Sequence, residues 1–194
     1  MPDIFPFITY VLIATFTPGP NNIMAMTKAG NHGFKHSLAF NIVVFSGVFI
    51  IMVLSSLFSS ALLAYIPKIK PYISYVGALY ILWLAYKVFT SGYKGENSSE
   101  TGKKNYVQGV LMQFANPKAI LFGLTVVSSF IVPYYDSVVV LLVFSISLAA
   151  VALIATSCWS LFGSMFNKLM TRHYKLLNTI MALLLVYTAV SLIF

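Results

Sequence analysis

Charge is scarce in this chain, and acid is the scarcest kind. Its 194 residues include four Asp/Glu and twelve Lys/Arg, together 8% of the total. A soluble domain devotes roughly a quarter of its residues to charge, because its surface has to be solvated. So few charges cannot coat a globule of this size, but they can cap helices whose sides face lipid. Cysteine is nearly absent as well: Cys158 stands alone inside an apolar run. That excludes an intramolecular disulfide and any relay between two thiols, and a single buried Cys reads as a small hydrophobe. Acids are missing from every long apolar segment, and His32, His36 and His173 lie in the connections between them. An intramembrane protease, a metal exporter or a metalloenzyme would need acids or histidines at depth. No metal, no cofactor and no enzymatic reaction are therefore expected. Nucleic acid is excluded as a partner too. The net charge is +8, but the basic residues sit singly in short gaps, with no stripe to follow a phosphate backbone. The opening Met1-Pro2-Asp3-Ile4-Phe5 lacks the basic stretch of a signal peptide, so the first apolar segment is expected to stay as a span.

What is present is hydrophobic: 59% of the residues, at a mean hydropathy of +0.89. Crossing about 30 Å of hydrocarbon takes about 20 mostly apolar residues. Six segments qualify: Ile4 to Met26, Ser37 to Tyr65, Tyr72 to Phe89, Tyr106 to Val132, Ser137 to Phe162 and Tyr174 to Phe194. The expected class is an all-α integral membrane protein with six transmembrane helices, a single domain over residues 1–194. A loop rich in Gly, Ser, Lys and Glu at 91–105 divides it into halves, 1–90 and 106–194. Basic residues set the orientation. Lys28, Lys35, Lys87, Lys94, Lys103, Lys104, Lys168, Arg172 and Lys175 fall in the odd-numbered connections, against Lys68 and Lys70 in the others. The odd loops are thus expected in the cytoplasm and both termini outside. Tyr72, Tyr134, Tyr135 and Tyr174, near segment ends, read as interfacial anchors.

Both halves break their first helix. The first break is Thr17-Pro18-Gly19-Pro20-Asn21-Asn22 and the second Asn116-Pro117-Lys118. Two prolines remove two backbone donors and the glycine permits φ > 0, so the helix should end near Phe16 and restart with Pro20 at its first position. Asn116 is placed to cap a second restart at Pro117. Aligning Pro20 with Pro117 also aligns Ile23 with Ile120. Three helices per half oblige the second half to enter from the opposite side, so the halves are expected to be inverted repeats with interrupted first and fourth helices, a recurrent transporter plan. Irregular backbone at membrane depth must be buried in protein or line a wet cavity. Each restarted helix would offer N–H groups and a positive dipole end, which suit a carboxylate.

Lys118 falls about 12 residues into its segment, near the midplane at 1.5 Å per residue. A charged Lys there costs about 2.5–3.5 kcal/mol, and no carboxylate lies within the six spans to offset it. Water, backbone carbonyls or an anionic ligand remain as partners. Gln113 lies one turn earlier on the same face, and Asn41 early in the second span; each reads equally as a satisfied interhelical hydrogen bond. The candidate substrate-binding set is Pro18, Gly19, Pro20, Asn21, Asn22, Gln113, Asn116, Pro117 and Lys118.

These two breaks, with His32-Gly33-Phe34 and the stretch from Gly77 to Lys87, make the chain resemble the LysE/RhtB family of bacterial amino-acid exporters over essentially its whole length. Within the family it looks most similar to the cysteine and O-acetylserine exporter group. The resemblance implies export of an amino acid or derivative across the inner membrane, driven by protons, and is compatible with a homodimer. Members that export basic amino acids carry an acid in the second helix; Ser37 to Ser60 has none, which favours neutral substrates and leaves the proton pathway open. A non-transporting membrane scaffold is the alternative from another class, and it would require packed helices with no polar cavity between the breaks.

Overall fold

The computed structural model describes residues 4–90, 103–165 and 173–193, and these are helical, with no strand among them. In chain order the helices are α1 (Ile4–Phe16), α2 (Pro20–His32), α3 (Phe34–Leu57), α4 (Ser59–Thr90), α5 (Lys103–Gln113), α6 (Pro117–Val126), α7 (Val138–Met165) and α8 (Tyr174–Ile193). A π-helical turn, Val127–Ile131, extends α6 and closes with Val132 N donating to Val127 O at 2.9 Å.

The burial differs from a soluble protein's in what it leaves outside: large hydrophobes are widely exposed while several small and polar residues are buried. On α7 the buried side carries Ser145, Thr156, Ser160, Ala149, Ala152 and Gly163, while Leu142, Val143, Ile146, Ile154, Leu161 and Phe162 are exposed. On α3, Ser37 and Asn41 are buried while Ile42, Ile50 and Leu54 are exposed. Lipid is as apolar as leucine, so helices associate through small residues and interhelical hydrogen bonds, with large hydrophobes left outside. Among the described residues α3 and α7 are the helices long and apolar enough to cross a bilayer; Ile4–Phe16, Pro117–Ile131 and Lys175–Ser191 are shorter apolar helices.

Two apolar clusters hold the bundle. One gathers Val44, Val48 and Met52 of α3, Phe122 and Val126 of α6, and Leu148 of α7 around Val11 of α1. The other packs Ile23 and Met26 of α2 on Ile81 and Leu84 of α4 and Leu185 of α8. α3 lies against α7 and α4 against α8; α7 also packs on α1 and α2, and α3 on α5 and α6.

Three expectations change. The second and third spans were expected to part at residues 66–71, but α3 ends at Leu57 and α4 begins at Ser59 and continues through Pro67 and Pro71. A proline removes one rung of the ladder, and a helix can continue where its other rungs survive. The loop expected at 91–105 lies outside the described residues up to 102, and α5 already begins at Lys103; Lys94, Lys168 and Arg172 of the charge count also lie outside them. Gly19 does not use φ > 0: its backbone is extended (φ −175°), and the left-handed glycine among the described residues is Gly33 (φ 86°), at the elbow between α2 and α3.

Candidate substrate site

α1 stops at Phe16 because Pro18 and Pro20 deny the next turn its donors, and the last carbonyls of a helix then need partners from elsewhere. Three side chains from three other helices supply them. Asn22 of α2, buried, donates its Nδ2 to Thr15 O (2.8 Å) and Thr17 O (2.9 Å). Trp159 of α7 donates its indole N–H to Phe16 O at 3.1 Å. Lys118 of α6 donates its Nζ to Thr17 O and Thr17 Oγ1, both at 2.9 Å, with Pro18 O at 3.5 Å. The two breaks therefore meet, and the Lys118 ammonium links them.

Each restart follows the sequence. Pro20 and Pro117 open their helices, where a missing N–H costs nothing. Asn116 caps α6, its side chain accepting from Lys118 N at 3.2 Å, and Asn116 O accepts from Ala119 N and Ile120 N. That occupies the N–H groups after Pro117 which were expected to be free for a ligand. α2 has no side-chain cap; Gly19 O accepts from Ile23 N, so the N–H groups of Asn21 and Asn22 have no acceptor one turn back in the helix. Asn21 reaches across the halves, its Nδ2 donating to Gln113 Oε1 at 2.9 Å. Gly19 leaves room for the lysine stem: a Cβ there would stand 2.9 Å from Lys118 Cδ and 3.0 Å from Nζ, so the stem would have to shift.

Two cavities flank this junction. A small one of about 50 Å³ is lined by Asn21, Asn22, Val44, Val48 and Thr156, and a larger one of about 400 Å³ by Tyr10, Thr17, Pro18, Ile81 and Tyr187. Lys118, Ala14 and Phe122 border both. The larger is in the range of small-molecule sites. All nine candidate residues thus cluster around one junction, but their parts differ: Asn22 and Asn116 are committed to holding the breaks, Lys118 borders both cavities and Asn21 the smaller one, and Gln113 is buried with its oxygen taken by Asn21. Asn41 is not among them; buried, it donates to Ser160 Oγ (3.1 Å) and Ser157 Oγ (3.3 Å), and Ser160 also meets Ser37 Oγ at 2.7 Å. Thr15, Thr17, Trp159 and the backbone oxygens of α1 were not singled out from the sequence, because carbonyls carry no residue-type signal.

An apolar outer face and two broken helices meeting beside a cavity, with buried polar side chains around them, fit a helical membrane transport protein. A family model for LysE type translocators matches residues 12–194, and the chain belongs to that family. It is 37% identical to the cysteine/O-acetylserine efflux protein of Escherichia coli O1:K1 / APEC over 188 residues, covering 97% of this chain and 96% of that one. It is 36% identical, with the same coverage, to proteins of that name from Escherichia coli strain K12 and Shigella flexneri serotype 5b. No solved structure matches.

Proposed function

We propose that this protein is a secondary-active exporter of small neutral amino acids or their derivatives across the bacterial inner membrane, coupled to protons. Its six spans would form two inverted halves with both termini periplasmic, rocking about the junction of the breaks. The observation that carries the reading is the contact of Lys118 with Thr17 and Pro18 beside the 400 Å³ cavity. The three acceptors in that contact are neutral, so the ammonium meets no opposite charge among the described residues, and an anionic ligand would supply one. The substrate carboxylate is assigned to Lys118 Nζ, supported by the first N–H groups of α2 and by Asn21 with Gln113. Pro18, Gly19, Pro20 and Pro117 shape the breaks, and Asn22 and Asn116 hold them. The packing of α3 on α7 and of α4 on α8 supports the repeat, and the relatives' names favour cysteine and O-acetylserine among the substrates. The only acid among the described residues is Asp136, in the turn before α7, so no intramembrane carboxylate is on hand to relay the proton.

Counterflow in proteoliposomes, run across a panel of amino acids with and without an imposed pH gradient, tests this reading. Exchange of neutral amino acids, accelerated by the gradient and lost in Lys118→Ala, is the expected result. Unchanged exchange in Lys118→Ala removes that residue from the mechanism; no exchange of any amino acid removes the function.

A further inference from the structure

An α-amino acid brings two charged ends into the membrane, and the reading above, on which this inference rests, provides only for the carboxylate. The ammonium has no acid to meet among the described residues of the spans. Neutral oxygens at a helix C-terminus, which carries partial negative charge, are the remaining acceptors. α1 ends in such a group, and its oxygens are not all held alike. Thr15 O and Phe16 O are held by Asn22 and Trp159 alone, and Asn22 also reaches Thr17 O at 2.9 Å, leaving that oxygen's second lone pair open. Thr17 O, Thr17 Oγ1 and Pro18 O are met by the tip of a flexible four-carbon stem reaching over from the other half. Three oxygens around one nitrogen match the three donors of a primary ammonium. Lys118 also borders both cavities, so a ligand in the larger one lies beside both the stem and the oxygens.

We propose that the Thr17–Pro18 oxygens are the subsite for the substrate's ammonium, and that in the substrate-free protein Lys118 occupies it as a tethered stand-in. An arriving carboxylate draws Nζ away, and the substrate's own ammonium takes the vacated oxygens. The exchange conserves charge at α1: one primary ammonium leaves as another arrives, while Lys118 trades neutral acceptors for a carboxylate. It also opens the link between the two breaks only when both ionic ends of the ligand are present. The substrate is therefore a free, primary α-amino acid, selected at its backbone atoms more than along its side chain.

Purified full-length protein is tested by ligand-dependent thermal stabilisation with cysteine, N-acetylcysteine, which lacks the ammonium, and cysteamine, which lacks the carboxylate, and with a panel of neutral amino acids against their N-acetyl forms. Each single-ended analogue should bind about tenfold or more weaker than its parent, since a site built for an N–H donor is left unpaired without it. Equal binding of free and N-acetylated ligands overturns the subsite but leaves export standing. Lys118→Ala gives an arm that needs no substrate: methylammonium should raise its melting temperature and tetramethylammonium, with no N–H, should not. A rise with both cations, or with neither, overturns the proposal. Methylammonium rescue without binding of any amino acid keeps the ammonium subsite and rejects the exporter.

Discussion

Replacing Gly19 with alanine measures the link between the breaks directly. The backbone at Gly19 is extended (φ −175°, ψ 173°), so alanine fits without strain and should gain about 0.4–1 kcal/mol from a less flexible unfolded chain. Against that gain stands the methyl, 2.9 Å from Lys118 Cδ and 3.0 Å from Nζ. The methyl cannot yield, so the flexible lysine stem must give way and loosen its hold on Thr17 and Pro18, hydrogen bonds of a kind that average about 0.6 kcal/mol and reach about 1.7 kcal/mol in membrane proteins. In the wild type the substitution is therefore destabilising or neutral. In a Lys118→Ala background the obstacle is gone, and the same substitution should stabilise by its entropic term alone. The double-mutant cycle, read from thermal melts of four purified proteins in detergent, should give a coupling of about 0.6–1.7 kcal/mol, against about 0.3–0.5 kcal/mol for sites that do not touch. At this chain length each kcal/mol moves the melting temperature by about 2–4 °C. Gly19→Ala effects that agree in the two backgrounds within about 0.5 kcal/mol would show that Lys118 does not rest against this glycine.

Three further outcomes are expected. Gly163→Ala would put a Cβ 2.2 Å from Met26 O, and neither the α2 backbone nor the new methyl can move aside, so the protein should lose about 3 kcal/mol or fail to give a monodisperse peak on size exclusion. Asn41→Leu removes the bonds to Ser157 and Ser160 but spares the Ser37–Ser160 contact, so melting should fall by the equivalent of about 0.6–1.7 kcal/mol while counterflow persists. His32, at the α2–α3 elbow outside the spans, has its pKa held below 6.5 by burial first and then by the nearby charges of His36 and Lys28. The unfolded chain therefore takes up its proton first, and the stability His32 contributes, present above pH 6.5, is lost as pH falls below it. Melting temperature should drop on acidification through that window, and less steeply in His32→Gln.

Where the chemistry of single residues constrains the backbone, the chain could be read before it was seen folded. Pro18 and Pro20 cannot continue a helix and Pro117 after Asn116 starts one, so both breaks, and the ends at Phe16 and Pro20, were legible. The reversal at Phe58 was not: Pro67 and Pro71 looked like the punctuation, yet a helix can run on past a missing rung, and nothing as strong marks residue 58. The reason for Gly19 was misread as conformational, since the steric demand comes from a lysine almost a hundred residues further on, and nothing local announces it.

The site's acceptors are hidden for a deeper reason. A search of the sequence for an ammonium partner looks for Asp or Glu and stops when the spans hold none. In a bilayer that search is biased, because an unpaired carboxylate at depth is as costly as the cation it would serve. A helix broken by prolines supplies partial negative charge from backbone oxygens, with no ion to desolvate when the site is empty. The oxygens must still be kept from lying bare, and here Asn22, Trp159 and Lys118 cover them. Of the three covers, only Lys118 is itself a primary ammonium, and so only it can be replaced like for like by a ligand. On this argument the acid-poor composition is part of the site's design: a carboxylate near Thr17 would hold Lys118 too tightly for a substrate's carboxylate to draw it off. Thr17→Asp should therefore bind Lys118 as an ion pair and slow counterflow, and faster exchange in that variant would contradict the reasoning.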